Sequence, residues 1–455
     1  MRWWLGLFVL CLPGRALAHA SEQGFVLLLP TDLYVAGGVA TVILTLLLIA
    51  IVPRRVAEAL FRPLPLWRVR RRPRRGWLSL LSLGLLAWAV WRGWTGDQDP
   101  TESPLPLLVW TAFWLILVSA QAILGDLWRG LNPWTGLWQL LGRPAPLHYP
   151  RALGHWPAVL MLLAFAGYLL ADIAPANPER LARAVALYWA LNMAGTLAFG
   201  PRWLLRAEAL SVLMRAYAGL ALFGRRGGHV ALGLTGWRWS RRAAPPLALA
   251  LFLVLLLGIG SFDGLNETFF WFGVIGQNPL EFTGRSAVVW QSLVGLLIAC
   301  AGLIAVFAAT LHAGAILAED ARPLSRLVRL YAPTLLPIAF GYHLAHYLPT
   351  LLVEAQYLAL MLNDPAGQGA NLLGLKGMQV TTGFFNTRAT VQAIWLTQAG
   401  AVVFGHVVAI LMAHVVALRL YDSPRRALMS QLPLAIFMVL YTLFGLWLLA
   451  SPRGA

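Results

Sequence analysis

The feature that most constrains this chain is a succession of apolar runs about twenty residues long, the length an α-helix needs to cross the hydrocarbon core of a bilayer. Such runs lie near residues 33–52, 77–94, 105–124, 156–174, 181–199, 246–262, 286–318, 331–360, 389–418 and 431–450. In lipid each segment must satisfy its own backbone N–H and C=O groups, so runs of this length are read as helices. No loop between them is long and polar enough to form a separate soluble domain. The expected fold class is therefore all-α: a polytopic transmembrane helical bundle of about ten spans, forming a single domain over residues 19–455. Composition agrees, since 59% of the 455 residues are hydrophobic and only 12% are charged. That leaves too little polar surface to cover a soluble globule of this size.

The first eighteen residues read differently. Arg2 supplies a positive start, Trp3 to Leu12 an apolar core and Pro13-Gly14 a break, and Ala16-Leu17-Ala18 matches a small-residue cleavage pattern. This predicts a cleaved signal peptide over residues 1–18, with His19 as the first residue of the mature chain. Leu10 stands before Cys11 where a lipoprotein signal would place a small residue. With the mature N-terminus outside, arginines crowd alternate loops: Arg54 to Arg75, Arg129 to Arg151, Arg202 to Arg242, Arg322 to Arg329 and Arg419 to Arg426. The intervening loops carry acids, among them Asp97, Asp99, Glu102, Asp263, Glu267, Glu281 and Asp364. Lysine and arginine excess on alternate loops marks the inner face, so the net charge of +17 reads as topology rather than as a nucleic-acid-binding surface. Ala207 to Phe223, in one inner loop, reads as an amphipathic helix lying on the inner leaflet. Two cysteines, Cys11 and Cys300, offer neither a disulfide framework nor a thiolate metal motif.

Ionisable groups inside apolar spans are costly, so they are the candidate functional residues. They are His312; His343, His346 and Glu354; His406 and His414, with Gln398 and Tyr441 as polar company. At about 1.5 Å of rise per residue, His343, His346 and His406 all lie roughly 18–22 Å from the inner ends of their helices. His343 and His346 also share one helix face. Three imidazoles at one depth would suit zinc, copper or iron, and two from facing helices, such as His346 and His406, would suit haem b. Two other roles remain open for them, helix-to-helix hydrogen bonding and a proton relay. His312 and His414 form a shallower layer. Glu354, about 12 Å from His346 by helix rise, is the candidate general base, and Gln356 and Gln398 lie at a similar level. His19, with its free amine, could chelate a metal such as copper at the outer face. The chain lacks a P-loop, G-x-G-x-x-G, G-x-S-x-G and H-E-x-x-H, which withdraws support from nucleotide-driven transport and zincin chemistry.

Several short motifs resemble the multi-pass bacterial membrane proteins known as fenitrothion hydrolase-like. They are Asn132-Pro133-Trp134, Phe262-Asp263-Gly264-Leu265, Ala345-His346-Tyr347, Asp364-Pro365 with Gly367 and Gly369, Gly405-His406-Val407, Ala413-His414 and Ser430-Gln431. An Ala-His pair follows the signal peptide, and Asn371 to Gly374 departs from the family's pattern. The resemblance implies hydrolysis of an organophosphate-like ester, while the signal peptide and the arginine alternation imply a bacterial inner-membrane protein with a periplasmic N-terminus. Three functions thus stand at this point. One is a membrane-embedded metal-dependent hydrolase of a small hydrophobic substrate. The others are a copper or haem transporter or assembly factor, and a structural or sensor protein whose histidines only pack.

Overall fold

The computed structural model describes residues 26, 29–69, 76–281 and 284–452. The expected signal peptide, Cys11 and His19 lie outside them. Ten long helices follow one another: α1 (Thr31–Ala50), α2 (Trp77–Thr95), α3 (Pro104–Leu124), α4 (Trp156–Ala171), α5 (Pro178–Phe199), α6 (Leu247–Leu265), α7 (Val289–Leu317), α8 (Leu336–Asn363), α9 (Arg388–Leu420) and α10 (Pro424–Ala450).

Six of these, α1, α3, α6, α7, α9 and α10, are long and apolar enough to cross a membrane. The other four fall short of the expected ten for local reasons. Helix α4 has 16 residues, while four tryptophans and Arg92 dilute α2. Helix α5 opens with Glu179, Arg180 and Arg183, and α8 carries His343, His346, Glu354 and Pro349. The outer surface is that of a membrane protein. In α1 only Val42 and Ile49 are buried, and Leu33, Leu47, Trp290 and Ile298 are exposed. Water would not tolerate so continuous an apolar exterior.

The core belongs to the second half. Helix α6 is buried along most of its length among α4, α7 and α8, and α8 and α9 form the most intimate pair. Glycines set that intimacy: a Cβ on Gly341 would strike the carbonyl of Ala401, and one on Gly405 the carbonyl of Pro337. Small residues let the two backbones approach where larger ones would hold them apart. Helix α1 packs on α9 and α10 rather than on α2. Helix α3 is π-helical from Leu107 to Leu117, a wide coil that is rare and concentrated at functional sites.

Two features depart from the sequence expectation. The region from Ala207 to Phe223 does not lie on a surface: the helix Ala209–Ala218 is buried almost throughout and inserts among α3, α4 and α8. The Glu208 carboxylate caps it, accepting from the amides of Leu210 at 2.8 Å and Ser211 at 2.6 Å, and the Tyr188 hydroxyl donates to the same carboxylate. An amphipathic pattern marks an apolar face, and protein rather than lipid covers it here. The second feature is a small antiparallel sheet in order β1-β3-β2, from β1 (Leu64–Arg68), β2 (Phe223–Arg226) and β3 (His229–Leu232). Gly227 and Gly228, at φ 55° and 80°, form the two-residue turn between β2 and β3. That conformation costs glycine little and favours Gly-Gly at hairpins.

Two of the short motifs singled out in the sequence are structural. The Asn132 side chain accepts from the Thr135 amide (3.0 Å) and hydroxyl (2.6 Å), starting the helix Thr135–Leu140. Asp364 accepts from the amides of Gln368 (2.9 Å) and Gly369 (2.7 Å), closing the turn after α8. Those amides hold its carboxyl below the usual range.

Candidate metal centre

The last turn of α6 carries an unusual load. Asp263 sits two residues before the helix ends at Leu265, and Glu267 follows four residues after Asp263. Carboxylates four apart repel across one turn, and the carbonyl-rich C-terminus of a helix repels both. Asp263 is nevertheless 8% exposed, and Glu267 is half-buried. Such an arrangement could hold a cation.

From α8, His346 enters the same space, 7% exposed, with Nε2 3.3 Å from Asp263 Oδ2. One ligand atom from each of Asp263, Glu267 and His346 lies within 4.8 Å of the other two. No other trio of His, Cys, Asp or Glu among the described residues is so close. The surroundings fix the imidazole. The Tyr342 ring stacks on it at 6.0 Å with 10° between planes, and the Tyr347 ring meets it edge-on at 4.7 Å. The Tyr347 hydroxyl donates to Asp263 Oδ2 at 2.6 Å. Gly264 makes room for the stack, because a Cβ there would land on the Tyr342 hydroxyl oxygen. The Nδ1 atom of His346 is buried and has no hydrogen-bond partner.

The three histidines expected at one depth are not drawn into this group together. His343 is buried against Trp114 (5.4 Å, 83°), Tyr347 (5.0 Å) and Tyr217 (6.5 Å), and its ring hydrogen-bonds the Trp114 backbone. On α9, His406 Nδ1 donates to the Val402 carbonyl at 2.9 Å, one turn back, and its ring faces Tyr441 of α10 at 6.4 Å. Tyr441 in turn pairs with Ser261 at 2.5 Å. His414 Nδ1 meets Gln431 Oε1 at 3.2 Å, and His312 is exposed on α7. Glu354 is half-buried two turns beyond His346, past Pro349, and is not among the three close ligands. The two glutamines diverge: Gln356 exchanges hydrogen bonds with the Thr381 backbone, both at 2.9 Å, and Gln398 donates to the Ala345 carbonyl at 2.7 Å.

Asp263 and Glu267 are the functional candidates that the sequence reading placed in an outer loop. The helix continues three residues past the expected end of the span at 262 and carries Asp263 inward. The available signal was Asp263 and Glu267 four apart on the end of the most buried apolar run. Two carboxylates and one imidazole make a donor set for zinc, iron or manganese rather than for soft Cu(I). Three protein ligands leave positions free for water or substrate. No family model, curated protein or solved structure matches this chain.

Proposed function

We propose that the chain is a ten-span inner-membrane protein which holds one divalent metal ion at Asp263, Glu267 and His346 and uses it to hydrolyse a small lipophilic ester. The observation that carries the proposal is the gathering of a buried Asp263, a half-buried Glu267 and a buried His346 at the C-terminus of α6, with one ligand atom of each within 4.8 Å of the other two. A metal there would supply Lewis acidity, lowering the pKa of a bound water and polarising the ester oxygen. Asp263 and His346 would anchor it from two different helices, and Tyr347 would hold the Asp263 carboxylate in orientation. The likeness to fenitrothion hydrolase-like proteins adds support, because its motifs Phe262 to Leu265 and Ala345 to Tyr347 contain both of these ligands. The donor set speaks for zinc, iron or manganese ahead of copper or haem.

The test is hydrolysis of an organophosphate triester by protein purified in lipid nanodiscs and loaded with zinc, iron(II) or manganese in turn. At least one metal should give turnover, and Asp263→Asn and His346→Ala should reduce it to the rate of the metal-free protein. Metal bound at one equivalent without turnover on any triester or carboxylic ester would refute hydrolysis. The centre would then be one for metal handling.

A further inference from the structure

Arginines gather at the end of the bundle where α1 and α9 finish and α6 begins, on the helix Arg54–Leu60, the three-stranded sheet and the segment before α6. The register of the sheet sets Arg68 of β1 and Arg226 of β2 directly opposite His229 of β3, one on each side. Residues paired in this way project from the same face of a sheet, and the Arg68 guanidinium donates to His229 Nε2 at 3.4 Å. Burial, and then the charges of Arg226, Arg419 and Arg62, hold the Arg241 guanidinium below its usual range, so these arginines share one patch. The carboxylate among them, Glu58, is already shared by Arg54 at 3.3 Å and Arg419 at 3.1 Å. Arg62, Arg226 and Arg241 are exposed, and among the described residues their guanidinium groups have no hydrogen bond or ion pair. The arginine-rich run Arg70 to Arg75, which follows β1, lies outside the described residues.

Like charges held side by side repel, and a bound anion relieves the repulsion. Guanidinium groups suit a phosphate in particular, because their forked N–H donors match its oxygens. The surroundings narrow the choice further. Ala57 and Phe61 anchor the helix Arg54–Leu60 in the core, while Val56 and Leu60, four residues apart on another face, are exposed. Along β1, Leu64, Leu66 and Trp67 are exposed as well. A free phosphate or a nucleic acid would answer the arginines but leave this apolar surface in water. A phospholipid answers both, and tryptophan is a residue type that settles at headgroup level. We propose that this patch binds an anionic phospholipid, its phosphate held by Arg62, Arg226 and Arg241 and its acyl chains lying against Leu60 and Leu64. Basic clusters where helices leave the membrane attract anionic headgroups in this way, whereas a zwitterionic lipid brings a cation of its own to the arginines. The site is separate from the metal centre and independent of it.

The experiment is native mass spectrometry of the full chain in detergent, titrated with dioleoylphosphatidylglycerol or dioleoylphosphatidylcholine. The first phosphatidylglycerol should bind at least about tenfold more tightly than phosphatidylcholine. Arg62→Gln, Arg226→Gln and Arg241→Gln should each weaken phosphatidylglycerol about fivefold, the share of one arginine beside an anionic lipid, and leave phosphatidylcholine unchanged. Arg143→Gln, Arg151→Gln and Arg202→Gln, at exposed arginines outside the patch, remove the same charge and should leave binding near wild type. Inorganic phosphate and chain-free glycerophosphoglycerol, each in large excess, should not displace the lipid. Thermal unfolding of each variant shows whether it is folded, and the wild-type comparison of the two lipids stands even where a variant is not. Equal affinity for the two lipids would overturn the proposal. Displacement by free phosphate would make the patch an anion site without a lipid, and equal losses in the patch and control variants would reduce it to diffuse surface charge; either result overturns the proposal as well.

Discussion

Gly264 shows how one absent side chain shapes the candidate metal centre. The Tyr342 hydroxyl occupies the place where a Cβ would stand, and Tyr342 in turn stacks on His346. Gly264→Ala would therefore push Tyr342 off the imidazole, at an overpacking cost of about 1–3 kcal/mol. Gly260, one turn earlier, is the control, since a Cβ there would meet Tyr342 Cδ1 at an ordinary 3.5 Å. Thermal unfolding and metal retention should both fall in Gly264→Ala and stay near wild type in Gly260→Ala, and equal behaviour of the two variants would count against this role for Tyr342. At the same scale, His346 was legible in the sequence because an ionisable group inside an apolar run stands out. Asp263 was not, because an acid just past such a run looks like a loop residue. Its burial depends on α8 closing over the end of α6, which no local pattern in α6 records.

Helices were legible as elements, and their facing directions were not. Apolar runs mark where a chain must pair its own backbone groups, and a long helix forms at each of the expected places. Rise along a helix gives depth. Rotation about the helix axis decides which residues meet, and that is set by packing. On α9, Gln398 faces α8 through Ala345, while His406 lies eight residues further, about 80° round the helix at 3.6 residues per turn. That rotation turns His406 toward Tyr441 of α10 and separates imidazoles that share a depth. The glycines Gly341 and Gly405, which press α8 against α9, were visible in the sequence as residues but not as a pair. The helix Ala209–Ala218 was misread for the same reason, since its amphipathic pattern reports an apolar face and says nothing of what covers it.

At the scale of the whole molecule, the bundle divides into an apolar exterior and a core of functional groups. Helices α1 and α7 present leucine and isoleucine outward, whereas the buried Asp, His and Tyr residues gather where α6 and α8 meet with α3 beside them. The proposed ten spans with the arginine-rich loops inside would give a definite topology. Reporter fusions at Arg226, Arg322 and Arg425 should report the cytoplasm, and those at Asp99, Glu281 and Gly367 the outside; two or more reversed signals would break the ten-span arrangement. The account as a whole rests on a metal ion between α6 and α8, and X-ray absorption at the metal edge of the zinc-loaded protein in nanodiscs addresses this most directly. One equivalent of zinc should show oxygen and nitrogen neighbours at about 2.0–2.2 Å with scattering from a single imidazole, and His346→Ala should remove both the imidazole signal and the bound metal. Scattering from three imidazoles, or zinc that remains after the Asp263→Asn, His346→Ala double substitution, would contradict the assignment.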